Sequence, residues 1–468
     1  MATYDYDMLV IGSGPAGQRA AIQSAKLGKR TALVERRAVV GGICINTGTI
    51  PSKTLREAVV YLSGYHLKGI YGESYAVKPH ITMEDLMFRT DYVIRHEIDV
   101  IRHQLNRNGV EVINGDAAFA DPHTLRLAMA GETAERTVTA ANVVIAVGTE
   151  ATRDPKIPFD GQNVFVSDDI LSLKKLPRTM VVIGAGVIGC EYASMFATLG
   201  VRVTLVDRLP RLLPFVDSEI AESLDYHLRQ NRVTLRFGEL VSGIETVPNG
   251  DDLRVKIHLA SGKEILAEKA LYSIGRTGAT GRLNLGAAGL QTDERGRLKV
   301  NAEFQTTVSH IYAAGDVIGF PSLASTSLEQ GRLAACHAFG VKADSTPALF
   351  PYGIYTIPEI SYVGKNEEEL TQASVPYEVG KANYREIARG QIIGDSIGML
   401  KLLFHLETRQ LLGVHIIGES ASELVHIGQA VLTFGGKLDY FVNNVFNYPT
   451  LAECYKNAAF DGMNRLNG

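Results

Sequence analysis

The sequence predicts an α/β protein with two domains built on parallel sheets, followed by a smaller α+β domain. Three observations carry this. A strand, glycine loop, helix, strand and acid follow one another twice in the same register. Two further apolar strands, closing on Gly148 and Gly315, return far downstream of the first copy. After about residue 350 the pattern changes to long strands and one apolar helix. With 468 residues the chain exceeds what one core organises, and its length fits about three domains.

The first copy runs from the apolar stretch Tyr6 to Ile11 into Gly12-Ser13-Gly14-Pro15-Ala16-Gly17, then a helix ending at Leu27-Gly28, a strand and Glu35. The second runs from Met180 to Ile183 into Gly184-Ala185-Gly186-Val187-Ile188-Gly189, a helix ending at Leu199-Gly200, a strand and Asp207. The offset is 172 residues at the first glycine, at the helix end and at the acid. A dinucleotide requires these residues. Gly12 and Gly184 make the tight turn, Gly14 and Gly186 let the backbone approach a pyrophosphate, and Gly17 and Gly189 pack helix on strand. The helix N-terminus offers unpaired N–H groups to the phosphates, and the acid accepts from ribose hydroxyls. Two Rossmann folds serving only as structure is the competing reading, and a fingerprint complete twice argues against it.

Val143 to Thr149 reads as a buried strand closing on Gly148, and Ile311 to Asp316 reads likewise but ends in an acid. The first nucleotide domain is therefore expected to be split, residues 1–150 and 276–345, around a second at 151–275. Pro155, Pro158, Pro177 and Gly275 mark the crossings. Residues 346–468, with strands near Gly398 to Phe404 and Leu412 to Ile417 and a helix over Ala421 to Phe434, form the α+β domain.

A net charge of −4 gives no electrostatic reason to expect nucleic acid or an anionic membrane as partner. Four cysteines without a CxxC favour a reducing compartment over a disulfide framework. The acidic N-terminus is not a secretory signal and no apolar run is long enough to span a bilayer, so a cytoplasmic enzyme is expected. No metal site is expected.

The segment Gly41-Gly42-Ile43-Cys44-Ile45-Asn46-Thr47-Gly48-Thr49-Ile50-Pro51-Ser52-Lys53 resembles the active-site segment of the pyridine nucleotide-disulphide oxidoreductases. With both fingerprints and Gly315-Asp316, the resemblance covers nearly the whole chain. It implies two Rossmann-like dinucleotide-binding domains, the first for non-covalent FAD and the second for NAD(P), and a C-terminal α+β dimerisation domain. It implies a homodimer or higher oligomer. By resemblance, Glu35 holds the FAD adenosine ribose, Asp316 its ribityl or pyrophosphate region, and Lys53 lies near the flavin and pairs with Glu191. An ordinary buried ion pair remains the alternative for Lys53 and Glu191. Arg36, Cys44, Gly148 and Gly275 complete the expected cofactor-binding set.

Two positions depart from the family's disulfide reductases. Their second cysteine is matched here by Thr49, which forms neither a disulfide nor a thiolate. Their C-terminal His-Pro…Glu element reads Tyr448-Pro449-Thr450-Leu451-Ala452-Glu453, and a phenol titrating near pH 10 is a poor shuttle at neutral pH. Cys44 then reads as a small buried residue near the flavin, and Thr49, Tyr448 and Glu453 stand where the dithiol machinery would be. Within the family, Gly48-Thr49-Ile50-Pro51-Ser52-Lys53 with Phe446-Asn447-Tyr448-Pro449-Thr450 resembles a branch without dithiol chemistry, and that resemblance implies hydride exchange between NADPH and NAD+ through FAD, both nucleotides being substrates. Asp207 suits a ribose diol, and Arg208 and Arg211 suit a 2′-phosphate. Plain surface arginines are the alternative, because Arg36 and Arg37 occur in the first copy. An oxidase or quinone reductase, an atypical disulfide reductase and a non-enzymatic dinucleotide-binding scaffold are the competing functions.

Overall fold

The computed structural model describes residues 4–72, 74–131, 135–250, 252–343 and 349–467, and the chain divides into two compact units. The first comprises Met1–Thr54, Met87–Thr152 and Gly275–Thr346. Its strands are β1 (Tyr6–Ile11), β2 (Thr31–Glu35), β3 (Glu111–Phe119), β4 (Thr124–Met129), β5 (Glu135–Ile145), β6 (Thr149–Ala151), β15 (Arg276–Gly278) and β16 (Ile311–Ala313). β1 pairs in parallel with β2 and β5, β2 with β3, and β5 with β16. β4 joins β3 to β5 in antiparallel fashion. Strands covered on both faces read as continuous apolar runs, as β1 does. Leu9 and Ile11 enter one core with Phe119 and Leu125, whereas Met8 and Val10 enter another with Ala20, Ile101 and Leu105. The sheet is thus a partition between two cores, and its carboxyl edge is where the chain must turn sharply.

The second unit comprises Leu55–Leu86, Arg153–Ile274 and Pro347–Gly468. Its parallel sheet runs β10-β9-β8-β14-β7, from β7 (Val164–Val166), β8 (Thr179–Ile183), β9 (Arg202–Asp207), β10 (Thr234–Phe237) and β14 (Lys269–Tyr272). A three-stranded antiparallel sheet, β11 (Val241–Asn249), β12 (Asp252–Leu259) and β13 (Glu264–Ala267), shares a core with it through Val181, Val206, Val255 and Ile257. A third sheet runs β17-β18-β21-β20-β19, from β17 (Tyr352–Ile354), β18 (Ile360–Gly364), β19 (Tyr377–Asn383), β20 (Met399–His405) and β21 (Leu411–Ile417). The helices Ala421–Thr433 and Glu453–Asn467 supply Val425, Val431, Tyr455 and Ala458 to its core.

Within this unit a buried cation ties distant segments together. Lys401, in the apolar strand β20, is fully buried, and its Nζ donates to both carboxylate oxygens of the equally buried Asp217 at 2.9 and 3.0 Å. Glu219 lies 3.1 Å away, and Glu367 also accepts from it. Asp217 additionally caps the helix Ser218–Gln230 by accepting from Glu219 N. Such a cluster costs desolvation, but removing one partner strands an uncompensated charge.

Candidate functional site

Each glycine loop follows the carboxyl end of a central parallel strand, where an open α/β sheet presents its ligand crevice. In the first unit Gly12 has φ +101°, and a Cβ there would lie 2.5 Å from the Ala146 carbonyl oxygen of the adjacent strand. A Cβ on Gly17 would lie 1.8 Å from the Gly12 carbonyl oxygen, so this helix can approach the loop only without a side chain. Gly14 is different: no atom lies within 4 Å of its Cβ position. It caps the helix Pro15–Lys26, which has no side-chain cap and begins with proline, whose missing N–H costs nothing at that position. The remaining first-turn N–H groups have no partner within the helix.

The second unit repeats this arrangement. Gly184 has φ +108° with the Ser273 carbonyl oxygen 2.8 Å from its Cβ position. Gly189 meets the Gly184 carbonyl oxygen at 1.8 Å, and Gly186 meets nothing within 4 Å. Gly186 caps the helix Val187–Thr198, again with no side-chain cap. Gly148 and Gly275 have φ +68° and +84° with no atom within 4 Å of their Cβ positions.

The two acids also match. Glu35 accepts from Ser13 N at 3.0 Å and Arg37 N at 2.8 Å, while Asp207 accepts from Ala185 N at 2.5 Å and Leu209 N at 2.8 Å. Each carboxylate therefore braces its glycine loop and retains lone pairs for further donors. Ser13 adds a contact without counterpart in the second copy: its hydroxyl donates to Glu35 at 2.5 Å and accepts from Gly41 N at 2.9 Å. Sequence reasoning passed over Ser13, although its place between two fingerprint glycines was the available signal. Both cradles fit a dinucleotide: empty space at the second glycine, unpaired helix donors, and an oriented carboxylate.

Asp316 follows β16 and is half-buried. Burial raises its carboxyl above the usual range, opposed by the Arg276 guanidinium and by hydrogen bonds from Thr149 and Ser327. Arg276 is itself fixed on Thr149, donating from Nε to Oγ1 at 2.9 Å and from Nη2 to the carbonyl at 3.1 Å. Thr149 and Arg276 were not singled out from the sequence; β6 and β15 bring them together across more than a hundred residues. Cys44 lies on the helix Gly42–Asn46, and Thr49 opens the helix Thr49–Ser63, which also carries Lys53. Burial pushes the Cys44 thiol up, and a hydrogen bond with Thr49 opposes this only in part. The sulfur is thus a poor thiolate. Nearby, Thr47 Oγ1 is buried with no hydrogen-bond partner among the described residues.

In the second unit Glu191 is buried on the helix after the glycine loop, and its Oε1 accepts from Tyr355 N at 2.9 Å. That loop is held again where Ser194 Oγ accepts from Ile357 N at 3.0 Å. Arg208 is exposed beside Asp207, as Arg36 is beside Glu35. Arg211 is committed in part: it donates to the Pro214 carbonyl at 2.8 Å and lies 3.5 Å from Glu368. Tyr448 is 74% exposed, and Glu453, the first residue of its helix, has Oε2 buried without a hydrogen-bond partner among the described residues. The two are not hydrogen-bonded to each other.

Comparison with known proteins gives the family. The pyridine nucleotide-disulphide oxidoreductase model matches residues 6–331, and that family's dimerisation domain matches residues 350–459. The chain is similar to the soluble pyridine nucleotide transhydrogenase of Mycobacterium bovis (strain BCG / Pasteur 1173P2), 56% identical over 462 residues, covering 99% of this chain and 98% of that protein. The protein of the same name from Pseudomonas aeruginosa (strain LESB58) is 46% identical over 472 residues, covering all of both chains. Among solved structures, the HOCl-induced flavoprotein disulfide reductase RclA from Escherichia coli superposes with a TM-score of 0.87 at 28% identity, over 97% of this chain and 99% of that one. LpdA from Mycobacterium tuberculosis gives the same TM-score at 25% identity, with the same coverage.

Proposed function

The chain belongs to the pyridine nucleotide-disulphide oxidoreductase family, and we infer that it is an enzyme transferring hydride between NADPH and NAD+, in either direction, through one non-covalently bound FAD. One observation carries this reading: two complete dinucleotide cradles accompany a Cys44 whose neighbour is Thr49, so hydride chemistry is equipped and dithiol chemistry is not. FAD, when bound, supplies a ring that takes up and gives back a hydride.

The chain's own residues then have assigned roles. The first-cradle residues Gly12, Gly14, Gly17 and Glu35, with Cys44, Gly148 and Asp316, hold the FAD. The second-cradle residues Gly184, Gly186, Gly189 and Asp207, with Gly275, hold the nicotinamide nucleotide. Arg208 and Arg211 favour the 2′-phosphate form. Lys53 supplies positive charge beside the reacting ring, oriented by Glu191, as the family resemblance implies. Because a hydride enters and a hydride leaves, no proton shuttle is needed, which accounts for Tyr448 where the dithiol enzymes carry histidine. A single nicotinamide fingerprint has the two substrates use one site in turn, a ping-pong scheme.

We assign residues 1–150 and 276–345 to FAD binding, 151–275 to NAD(P) binding and 346–468 to dimerisation. The working form is a homodimer in which Tyr448 and Glu453 complete the partner's site, and the compartment is the cytoplasm, consistent with four free cysteines. The test is stopped-flow reduction with NADPH followed by mixing with an NAD+ analogue. Rapid reoxidation by the analogue is expected. Much faster reoxidation by oxygen, a quinone or a disulfide would make transhydrogenation a side reaction and overturn the assignment.

A further inference from the structure

The parallel sheet of the second unit carries its glycine loop at the carboxyl end of β8. Its opposite edge holds a separate feature. Thr179 and Arg202 are register partners, as are Val181 and Thr204, and Thr204 and Thr234. Register partners and alternate residues share a face, so Arg202, Thr204 and Thr234 all project toward the side covered by β12 and β13. With Arg178, Arg254 and Glu268 they line a cavity of about 430 Å³.

Three arginines and one glutamate share this lining. Glu268 already accepts the Arg178 backbone N–H through Oε2 at 2.8 Å. Among the described residues, none of the side chains of Arg178, Arg202 and Arg254 has a hydrogen bond or ion pair, and Arg254 Nε is buried with no acceptor. Exposed arginines are solvated and need no partner, but a buried guanidinium donor left unmet is costly and demands an acceptor that the described residues do not supply. The threonine hydroxyls of β9 and β10 add neutral donors to the same wall.

We propose that this cavity is a second ligand site, binding a small organic polyanion bearing phosphate or carboxylate groups. The size lies within the range of small-molecule pockets, and planar guanidiniums match both oxyanions in bidentate fashion. The site is not the dinucleotide cradle: β8 separates Thr179 from Gly184, the start of the glycine loop, by roughly 17 Å, at about 3.3 Å per residue. Occupancy stabilises the folded unit by satisfying Arg254 and neutralising the three like charges.

The test uses the FAD-loaded enzyme with saturating NADP+, so that the nucleotide cradle is filled. Pyrophosphate and citrate are titrated separately against potassium chloride of matched ionic strength, reading the unfolding temperature and the calorimetric heat. A saturable rise with either probe is expected, the responding probe identifying phosphate or carboxylate as the preferred group. Arg254→Met and, at an exposed position that spares folding, Arg202→Ala should each weaken half-saturation roughly ten- to a hundredfold, with KM for NADPH unchanged. No saturable response to either probe, or unchanged half-saturation in both variants, would overturn the proposal.

Discussion

The second and third glycines of each cradle have opposite surroundings, and substituting them separates folding from binding. A Cβ on Gly189 lies 1.8 Å from the Gly184 carbonyl oxygen, a backbone atom fixed by the turn that leaves β8. Overpacking a core by a methylene costs about 1–3 kcal/mol, and this overlap with backbone is more severe, so at least about 3 kcal/mol is expected for Gly189→Ala. At about 2–4 °C per kcal/mol for a unit of this size, its unfolding temperature should fall by on the order of 10 °C. Gly186 has nothing within 4 Å of its Cβ position and φ −77°, a backbone that any residue adopts. Gly186→Ala should therefore fold and hold FAD as the wild type does. Its new methyl would occupy the space where the pyrophosphate meets the helix donors. Losing one charge-assisted hydrogen bond, about 1.5–3 kcal/mol, weakens NADPH roughly ten- to a hundredfold. The assays are calorimetric unfolding, the flavin absorbance ratio, and titration with NADPH monitored by flavin reduction. Wild-type NADPH affinity in Gly186→Ala, or an unaltered unfolding temperature in Gly189→Ala, refutes the cradle assignment.

Three further outcomes are expected. Arg208→Ala should weaken NADPH roughly ten- to a hundredfold while sparing NADH, and Arg211→Ala should do less because Pro214 and Glu368 already hold that guanidinium; equal effects on both nucleotides in fluorescence titrations would reject a 2′-phosphate site. Cys44→Ser should retain most of the turnover, and the wild-type thiol should alkylate slowly at neutral pH because burial raises it; a large loss of turnover without loss of FAD would reveal a chemical role. His227 is buried beside Tyr65 and Asn231 and its imidazole is pushed down to about 4, so the neutral form is the folded form. This contribution to stability is fully present above about pH 6.5 and is lost as pH falls toward 4. About 3 kcal/mol is at stake, and His227→Gln should flatten that limb of a pH-dependent urea unfolding series.

What could be read from the sequence was what the backbone requires locally. Gly12, Gly17, Gly184 and Gly189 sit where a side chain would strike a carbonyl, and those constraints fall within six contiguous residues of each copy. The strands Tyr6–Ile11, Thr31–Glu35 and Arg202–Asp207, and the late helix Ala421–Thr433, fall where apolar runs and breakers place them. Contacts assembled by topology were hidden. Lys401 gives only one weak hint, a lysine between Leu400 and Leu402, and its partners Asp217, Glu219 and Glu367 come from two other elements. Arg276 on Thr149, and Glu191 on Tyr355 N, depend likewise on strand pairing and loop packing between residues far apart in the chain. Patterning reports which face an element buries; it carries no information about which polar group waits on that face.

The divergence between the two copies bears on function as much as their agreement does. Both acids brace their loops through the same two backbone donors, so the brace itself distinguishes nothing. The first copy adds the Ser13 hydroxyl, which joins Glu35 to Gly41 N and thereby ties the glycine loop to the segment leading into Cys44. Glu35 and Ser13 are buried, as befits a closed site for a group that stays. At the matching position the second copy has Ala185, which offers only its backbone N–H to Asp207, and the acid is half-buried. One internal hydrogen bond more or less is worth about 1 kcal/mol, or somewhat above when a charge is involved, so the first loop is held the more firmly. One tightly clamped cradle and one open cradle in the same chain are the asymmetry that an enzyme needs when one dinucleotide remains through every turnover and the other must leave so that its counterpart can enter.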